Sequence, residues 1–249
     1  MAQRFISGLI EGFYGRTWSW EARADWCNFL KEQRQDFYLY APKADRFLRE
    51  QWLEQWPRET LKELVKFRTH CSDQSIQFGV GFSPFEIHLN WNQETKRQLQ
   101  KRLEELKPLE LELLGLLFDD MKGAEATMAS IQSEIAHRVA EQLPDTRLIL
   151  CPTYYTDDPI LKALFGLEPQ GYLEELGEKV DRSIDIFWTG PLVCSAEYSE
   201  SHLRKVEERM GRKPFIWDNY PVNDGSRMAP FLHLQPPHGR PERPELFTS

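Results

Sequence analysis

The chain has 249 residues, 41% of them hydrophobic, with 31 basic against 39 acidic side chains and a formal charge of −8. That length suits one (β/α)8 barrel or one large open α/β domain. The acidic balance and the lack of any Lys/Arg run exclude a nucleic-acid surface, and no segment approaches the roughly 20 apolar residues of a membrane span. Cys27, Cys71, Cys151 and Cys194 are scattered without CxxC spacing, and Cys151 and Cys194 lie in apolar, strand-like runs, so free buried thiols in a reducing compartment are expected. The apolar stretch after Arg4 is too short for a signal peptide and is broken at Glu11, so the expected location is cytoplasmic.

Along the chain a short apolar run, a loop and an amphipathic helix recur. Run one, Phe5 to Ile10, ends at Glu11-Gly12-Phe13-Tyr14-Gly15, and Ser19 is placed to cap a helix from Trp20 to Gln33. Run two, Phe37 to Tyr40, ends at Ala41-Pro42-Lys43 and precedes a helix with Leu61, Leu64 and Val65 on one face. Run three, Ile76 to Phe82, is followed by a helix with Leu99, Leu103 and Leu106 at helical spacing.

Run four, Leu113 to Phe118, is apolar without alternation, as in a strand buried on both faces of a parallel sheet, and it stops at Asp119-Asp120. Its helix carries Met128, Ile131, Ile135 and Val139. Run five, Leu148 to Cys151, ends at Pro152-Thr153-Tyr154-Tyr155, and run six, Ile184 to Phe187, ends at Trp188-Thr189-Gly190-Pro191 before a helix bearing Leu203, Val206 and Met210. Run seven, Pro214 to Ile216, ends at Trp217-Asp218-Asn219.

These alternations predict an α/β TIM-type (β/α)8 barrel occupying residues 1–235. Phe231 to Leu234 fits a short eighth strand or an apolar loop, and residues 236–249 form an irregular Pro- and charge-rich tail. The last strand and helix are expected to be lacking or atypical.

Carboxyl ends of strands are where ligands bind in such folds, so Asp119 and Asp120 stand where chemistry is done. Two close carboxylates cannot both ionise freely, and one pKa is expected to rise, which suits acid/base work. The same Asp-Asp would also serve as a helix N-cap with a first-turn acid. Eight tryptophans hint at a site that stacks planar or sugar-like ligands, although they could equally fill the core.

Together the motifs Gly8-Leu9-Ile10-Glu11-Gly12-Phe13-Tyr14-Gly15, Tyr38-Leu39-Tyr40-Ala41-Pro42-Lys43, Leu116-Leu117-Phe118-Asp119-Asp120, Cys151-Pro152-Thr153-Tyr154-Tyr155, Trp188-Thr189-Gly190-Pro191 and Trp217-Asp218-Asn219 with Asn223-Asp224 resemble those of glycoside hydrolase family 84, the β-N-acetylglucosaminidases. The resemblance runs in family order from about residue 5 to 235. It implies a retaining exo-hydrolase whose nucleophile is the substrate's own 2-acetamido oxygen, with an oxazoline intermediate and neither cofactor nor metal. The implied substrate is a GlcNAc-containing glycoconjugate or glycopeptide. Asp119 would orient and polarise the acetamido group, and Asp120 would protonate the leaving oxygen and later deprotonate water.

By the same resemblance, Gly8 would present a carbonyl to a sugar hydroxyl, Lys43 would bond a hydroxyl, and Tyr155 would reach the acetamido oxygen and anomeric centre. Trp217 would wall the acetamido pocket, Asn219 would hold the acetamido region, and Asp224 the outer hydroxyls. The chain departs from the family pattern at Lys43-Ala44-Asp45 and Gly15-Arg16-Thr17-Trp18, and it shows no Asn-Pro strand before Ser249. That last departure leaves open a truncated homologue that binds GlcNAc with weak or no turnover. A third reading, a metal-dependent hydrolase using Asp119, Asp120, Asp157, Asp158 and Asp224, lacks any HxH or HExxH spacing.

Overall fold

A computed structural model describes residues 6–123 and 126–219. Asp224, the segment Phe231 to Leu234 and the tail 236–249 lie outside the described residues. The seven apolar runs become seven parallel strands: β1 (Gly8–Glu11), β2 (Phe37–Tyr40), β3 (Gln77–Phe82), β4 (Leu113–Leu117), β5 (Arg147–Cys151), β6 (Asp185–Trp188) and β7 (Phe215–Ile216). They pair in sequence order, β1-β2-β3-β4-β5-β6-β7, as a sheet curled in the manner of a TIM-type barrel. Registers such as Leu39↔Gly79 and Leu116↔Leu150 set the strand ends level. Among the described residues β1 and β7 share no ladder, but Gly12 after β1 lies against the Trp217 indole after β7, and the Phe37 ring of β2 lies 6.4 Å from that of Phe215.

The helices are α1 (Trp20–Glu32), α2 (Arg58–Asp73), α3 (Gln93–Leu106), α4 (Met128–Gln142), α5 (Pro159–Phe165), α6 (Tyr172–Lys179) and α7 (Glu200–Met210). Ser19 caps α1, its hydroxyl accepting from the Ala22 amide. In α2 the buried face is Leu64, Phe67 and Cys71, whereas Val65 is exposed, contrary to its expected place in the apolar stripe. Positions 64, 67 and 71 follow the helical period, and Val65 lies one residue off it. The segment after β5 divides into α5 and α6 because Gly166, at φ 95°, and Gly171, at φ 71°, adopt backbone that stops a helix.

Strand β4 is buried along its whole length, as its unalternating sequence requires. Tyr38 meets Phe67 of α2 edge to face, so β2 sends its tyrosines outward and Leu39 inward. The inner surface is tight at Gly81, where a Cβ would come within 2.5 Å of Ala41 and 2.9 Å of Leu117. Glu11 closes β1 with a buried pair to Arg23 of α1, two N–H···O bonds of 2.8 Å, and accepts from the Tyr38 hydroxyl at 2.7 Å. Arg23 also lies 4.4 Å above the Trp20 ring. Cys27, Cys71 and Cys151 are free and buried, but Cys194 is exposed in the loop after β6 and not in a strand, which corrects its expected burial. No helix among the described residues is long and apolar enough to cross a membrane.

Candidate active site

The carboxyl ends of β1, β2 and β4 bring a cation and two carboxylates together. Lys43, in the turn after β2, hydrogen-bonds Asp119 Oδ2 and, at 3.0 Å, Asp120 Oδ2. Its own amide donates to the Phe13 carbonyl, tying the β2 loop to the β1 loop. Asp45 anchors the turn from below, accepting from Tyr40 Oη at 2.9 Å and Trp56 Nε1 at 2.8 Å and capping the Phe47 amide. The aspartate retained in Lys43-Ala44-Asp45 therefore serves the backbone of this loop.

In a strand, consecutive side chains point to opposite faces, so Asp119 and Asp120 could not both reach one ammonium. Asp120 solves this with φ 58°, a left-handed conformation that aspartate tolerates better than most residues and that clusters at functional sites. Since α4 begins at Met128, neither aspartate caps a helix. The N-cap reading of the pair is thereby overturned.

Two neighbours missed by sequence reasoning complete the cluster. Tyr14 Oη donates to Asp120 Oδ2 at 2.9 Å, and Arg49 Nη1 lies 3.9 Å from the same oxygen. Tyr14 stood in a quoted strand-end motif and could have been found there. Arg49 follows a short helical turn and carried no signal. Burial and the Asp120 charge push the Tyr14 phenol up to about 12, so it stays a neutral donor. Burial alone would lower the Lys43 ammonium, but Asp119 and Asp120 outweigh it and hold it above its ordinary value. Burial alone would raise Asp120. Lys43, the Tyr14 hydroxyl and Arg49 reverse that and hold its carboxyl below the usual range. Repulsion within the pair was expected to push one pKa up; for Asp120 the interposed cation wins.

Asp119 Oδ1 is buried and accepts no hydrogen bond from the described residues. It is an acceptor waiting for a donor. Nearby, Cys151 is held as a thiol because burial, and next the Asp119 charge, push it well up, so it offers no thiolate nucleophile.

The remaining expected residues divide. Tyr155, in the loop after β5, is buried, and its carbonyl accepts from the amide of Thr189, just past β6, at 3.0 Å. Trp217 follows β7, with its ring 5.1 Å from Phe187 and against Gly12, where a Cβ would come within 2.9 Å of the indole. Asn219 Nδ2 donates to the Val193 carbonyl at 2.7 Å. Gly8 is not gathered with them. It is the first residue of β1, roughly 10 Å of strand before the end where the site lies, and it packs against Phe37. Gly12, just past Glu11, is the glycine at the site.

The described acidic residues weighed as metal ligands do not form one group. Asp157 pairs with Arg209 at 2.8 Å, and Asp158 caps α5 and accepts from the Val193 amide. Between Asp119 and Asp120 the bridging position belongs to the Lys43 ammonium, and no group of three or more potential metal ligands occurs among the described residues.

A family profile described as beta-N-acetylglucosaminidase matches residues 7–245. The chain belongs to that family. Protein O-GlcNAcase of Rattus norvegicus and of Mus musculus are each 31% identical over 242 residues, covering 93% of this chain and 26% of the relative. A solved structure of a mutant O-GlcNAc hydrolase of Thermobaculum terrenum is similar, with a TM-score of 0.82 at 32% identity, over 98% of this chain and 53% of that one. The chain thus spans about a quarter of the length of the rodent proteins and about half of the bacterial one.

Proposed function

We propose that the chain hydrolyses terminal β-linked GlcNAc from a glycoconjugate or glycopeptide, with retention, through participation of the substrate's acetamido group. The observation that carries this is the Asp119–Lys43–Asp120 cluster with Asp119 Oδ1 left open as an acceptor. An amide N–H is the donor such an oxygen takes, and a carboxylate there increases the nucleophilicity of the amide's carbonyl oxygen. That oxygen attacks the anomeric carbon, the glycosidic bond breaks, and Asp120 delivers a proton to the departing oxygen. Water then attacks the same carbon while Asp120 takes its proton, and the oxazoline opens to product.

Asp120 is anionic in the free site and must gain a proton before it can give one. A sugar hydroxyl that takes a hydrogen bond from Lys43 draws the ammonium away, and closing the pocket over Asp120 removes water, so both changes favour the neutral acid. Trp217 and Tyr155 flank the acetamido side, Asn219 Oδ1 accepts there, and Asp224 is retained as an outer-hydroxyl residue.

The test is a series of 4-nitrophenyl glycosides bearing acetamido, fluoroacetamido and trifluoroacetamido groups, with the β-glucoside as a fourth. Rates falling steeply with fluorination, and no turnover of the glucoside, are expected because fluorine withdraws electrons from the attacking oxygen. Rates indifferent to fluorination would contradict acetamido participation.

A further inference from the structure

We propose that Thr153, Gln132 and Tyr172 form a positioning network that sets Asp119 through the carbonyl of Phe118, deepening, and resting on, the glycosidase reading above. The three side chains are 0%, 0% and 1% exposed and come from the loop after β5, from α4 and from the start of α6. The Thr153 amide donates to Tyr172 Oη at 3.1 Å, Tyr172 Oη bonds Gln132 Oε1 at 2.5 Å, Gln132 Nε2 bonds Thr153 Oγ1 at 2.9 Å, and Thr153 Oγ1 bonds the Phe118 carbonyl at 3.0 Å.

The proton order in this ring is forced. A backbone N–H only donates, so Tyr172 Oη accepts from Thr153 and its single proton is free for Gln132. Gln132 must then turn its carbonyl oxygen to the tyrosine and its NH2 to Thr153. The threonine hydroxyl, already accepting, has one proton left and one acceptor in reach: the Phe118 carbonyl. Burial pushes the Tyr172 phenol up and keeps that proton in place. Each of the four bonds uses a different donor group, so no member can rotate without leaving a buried group unpaired.

The Phe118 carbonyl is the last backbone acceptor before the carboxylate pair, and its own amide donates to Cys151 at 2.9 Å. Fixing both ends of that residue fixes the peptide plane from which Asp119 departs and against which Asp120 adopts its left-handed turn. A shift of about 1 Å in a positioned group costs about 10²-fold in rate. Core packing alone would be met by three apolar side chains; a directed ring that terminates on this carbonyl is suited to orienting Asp119.

The experiment compares Thr153→Val, Thr153→Ser and the double variant Thr153→Val/Gln132→Leu with the parent chain, for melting and for hydrolysis of 4-nitrophenyl β-N-acetylglucosaminide. The double variant removes both partners of one bond and so avoids a stranded amide if Thr153→Val alone folds poorly. Expected are folded variants in which kcat falls at least about tenfold and KM moves less than about threefold for both Val-containing chains, with Thr153→Ser close to the parent. A folded Val variant with unchanged kcat would overturn the network's role. Absence of turnover in the parent would instead count against the glycosidase reading. In that case the Asp119 carboxyl 13C resonance decides: displacement by Thr153→Val and restoration by Thr153→Ser support the network, and an unmoved resonance in the folded variant overturns it.

Discussion

The Lys43 ammonium bonds both carboxylates of the Asp119–Asp120 pair, and Tyr14 and Arg49 add a hydrogen bond and a second positive charge beside Asp120. Two roles follow from two environments. In the proposed mechanism Asp119, with an oxygen that no described residue serves, would be the acceptor, and Asp120, whose oxygen collects donors that a substrate can displace, would be the proton carrier. Asp119→Ala is expected to lower kcat/KM for 4-nitrophenyl β-N-acetylglucosaminide by about 10²-fold or more. Asp120→Ala should cost little with a 4-nitrophenyl leaving group and far more with an alkyl one, since only the poor leaving group needs the proton. Equal losses on both would remove Asp120 from that role.

The pH dependence has a defined sign. A general acid whose free-site pKa is lowered loses its proton early, so the basic limb of kcat/KM reports Asp120 and lies on the acid side. Arg49→Met and Tyr14→Phe each remove something that stabilises the anion, so each should raise that pKa and move the basic limb to higher pH, as read from kcat/KM profiles. In stability terms, a lowered carboxylate pKa contributes above its unfolded value near 4 and is lost as pH falls through the folded value, so the parent's excess stability over Asp120→Asn should shrink below about pH 4. At this scale the sequence showed the pair and the lysine, because strand-end motifs name them. It did not show that a cation would reverse the pair's expected pKa shift, since this depends on a left-handed turn at Asp120 and on Arg49, brought in from a loop without a motif.

Strands and helices were legible because each strand is a short apolar run and most helices carry a regular stripe. Burial of Leu99, Leu103 and Leu106 in α3 and of Leu203, Val206 and Met210 in α7 follows those stripes. The stripe on α2 misplaced Val65 because Leu64 and Val65 are adjacent and only one can face inward. Gly8 was misassigned for a related reason. A motif beginning at a glycine gives no sign of which of its three glycines lies at the strand's carboxyl end, and register places Gly8 opposite Phe37 at the far end.

Two element-level junctions lend themselves to measurement. Arg23→Met leaves the Glu11 carboxylate buried without its guanidinium and should cost about 3–5 kcal/mol by urea denaturation. Gly81→Ala forces a methyl against Ala41 and Leu117 and should cost about 1–3 kcal/mol.

At the scale of the molecule, sequential parallel pairing puts every strand's carboxyl end on one face, and that topology makes residues 76 and 77 positions apart into neighbours of one ammonium. The barrel class was readable from the alternation of runs and helices. The approach of β7 to β1 and β2 was not, because it rests on side-chain contacts, Gly12 with Trp217 and Phe37 with Phe215, that leave no local pattern. Native-state hydrogen exchange should therefore be slowest in β3, β4 and β5, paired on both sides and buried, and faster in the two-residue β7.

The most direct test of the central claim is hydrolysis of 4-nitrophenyl β-N-acetylglucosaminide by the purified chain, with Asp119→Ala and Asp120→Asn alongside and folding checked by melting. Turnover by the parent, cut by about 10²- to 10⁴-fold in Asp119→Ala and measurably in Asp120→Asn, is the predicted result. A folded parent without turnover, or turnover indifferent to both substitutions, would contradict it.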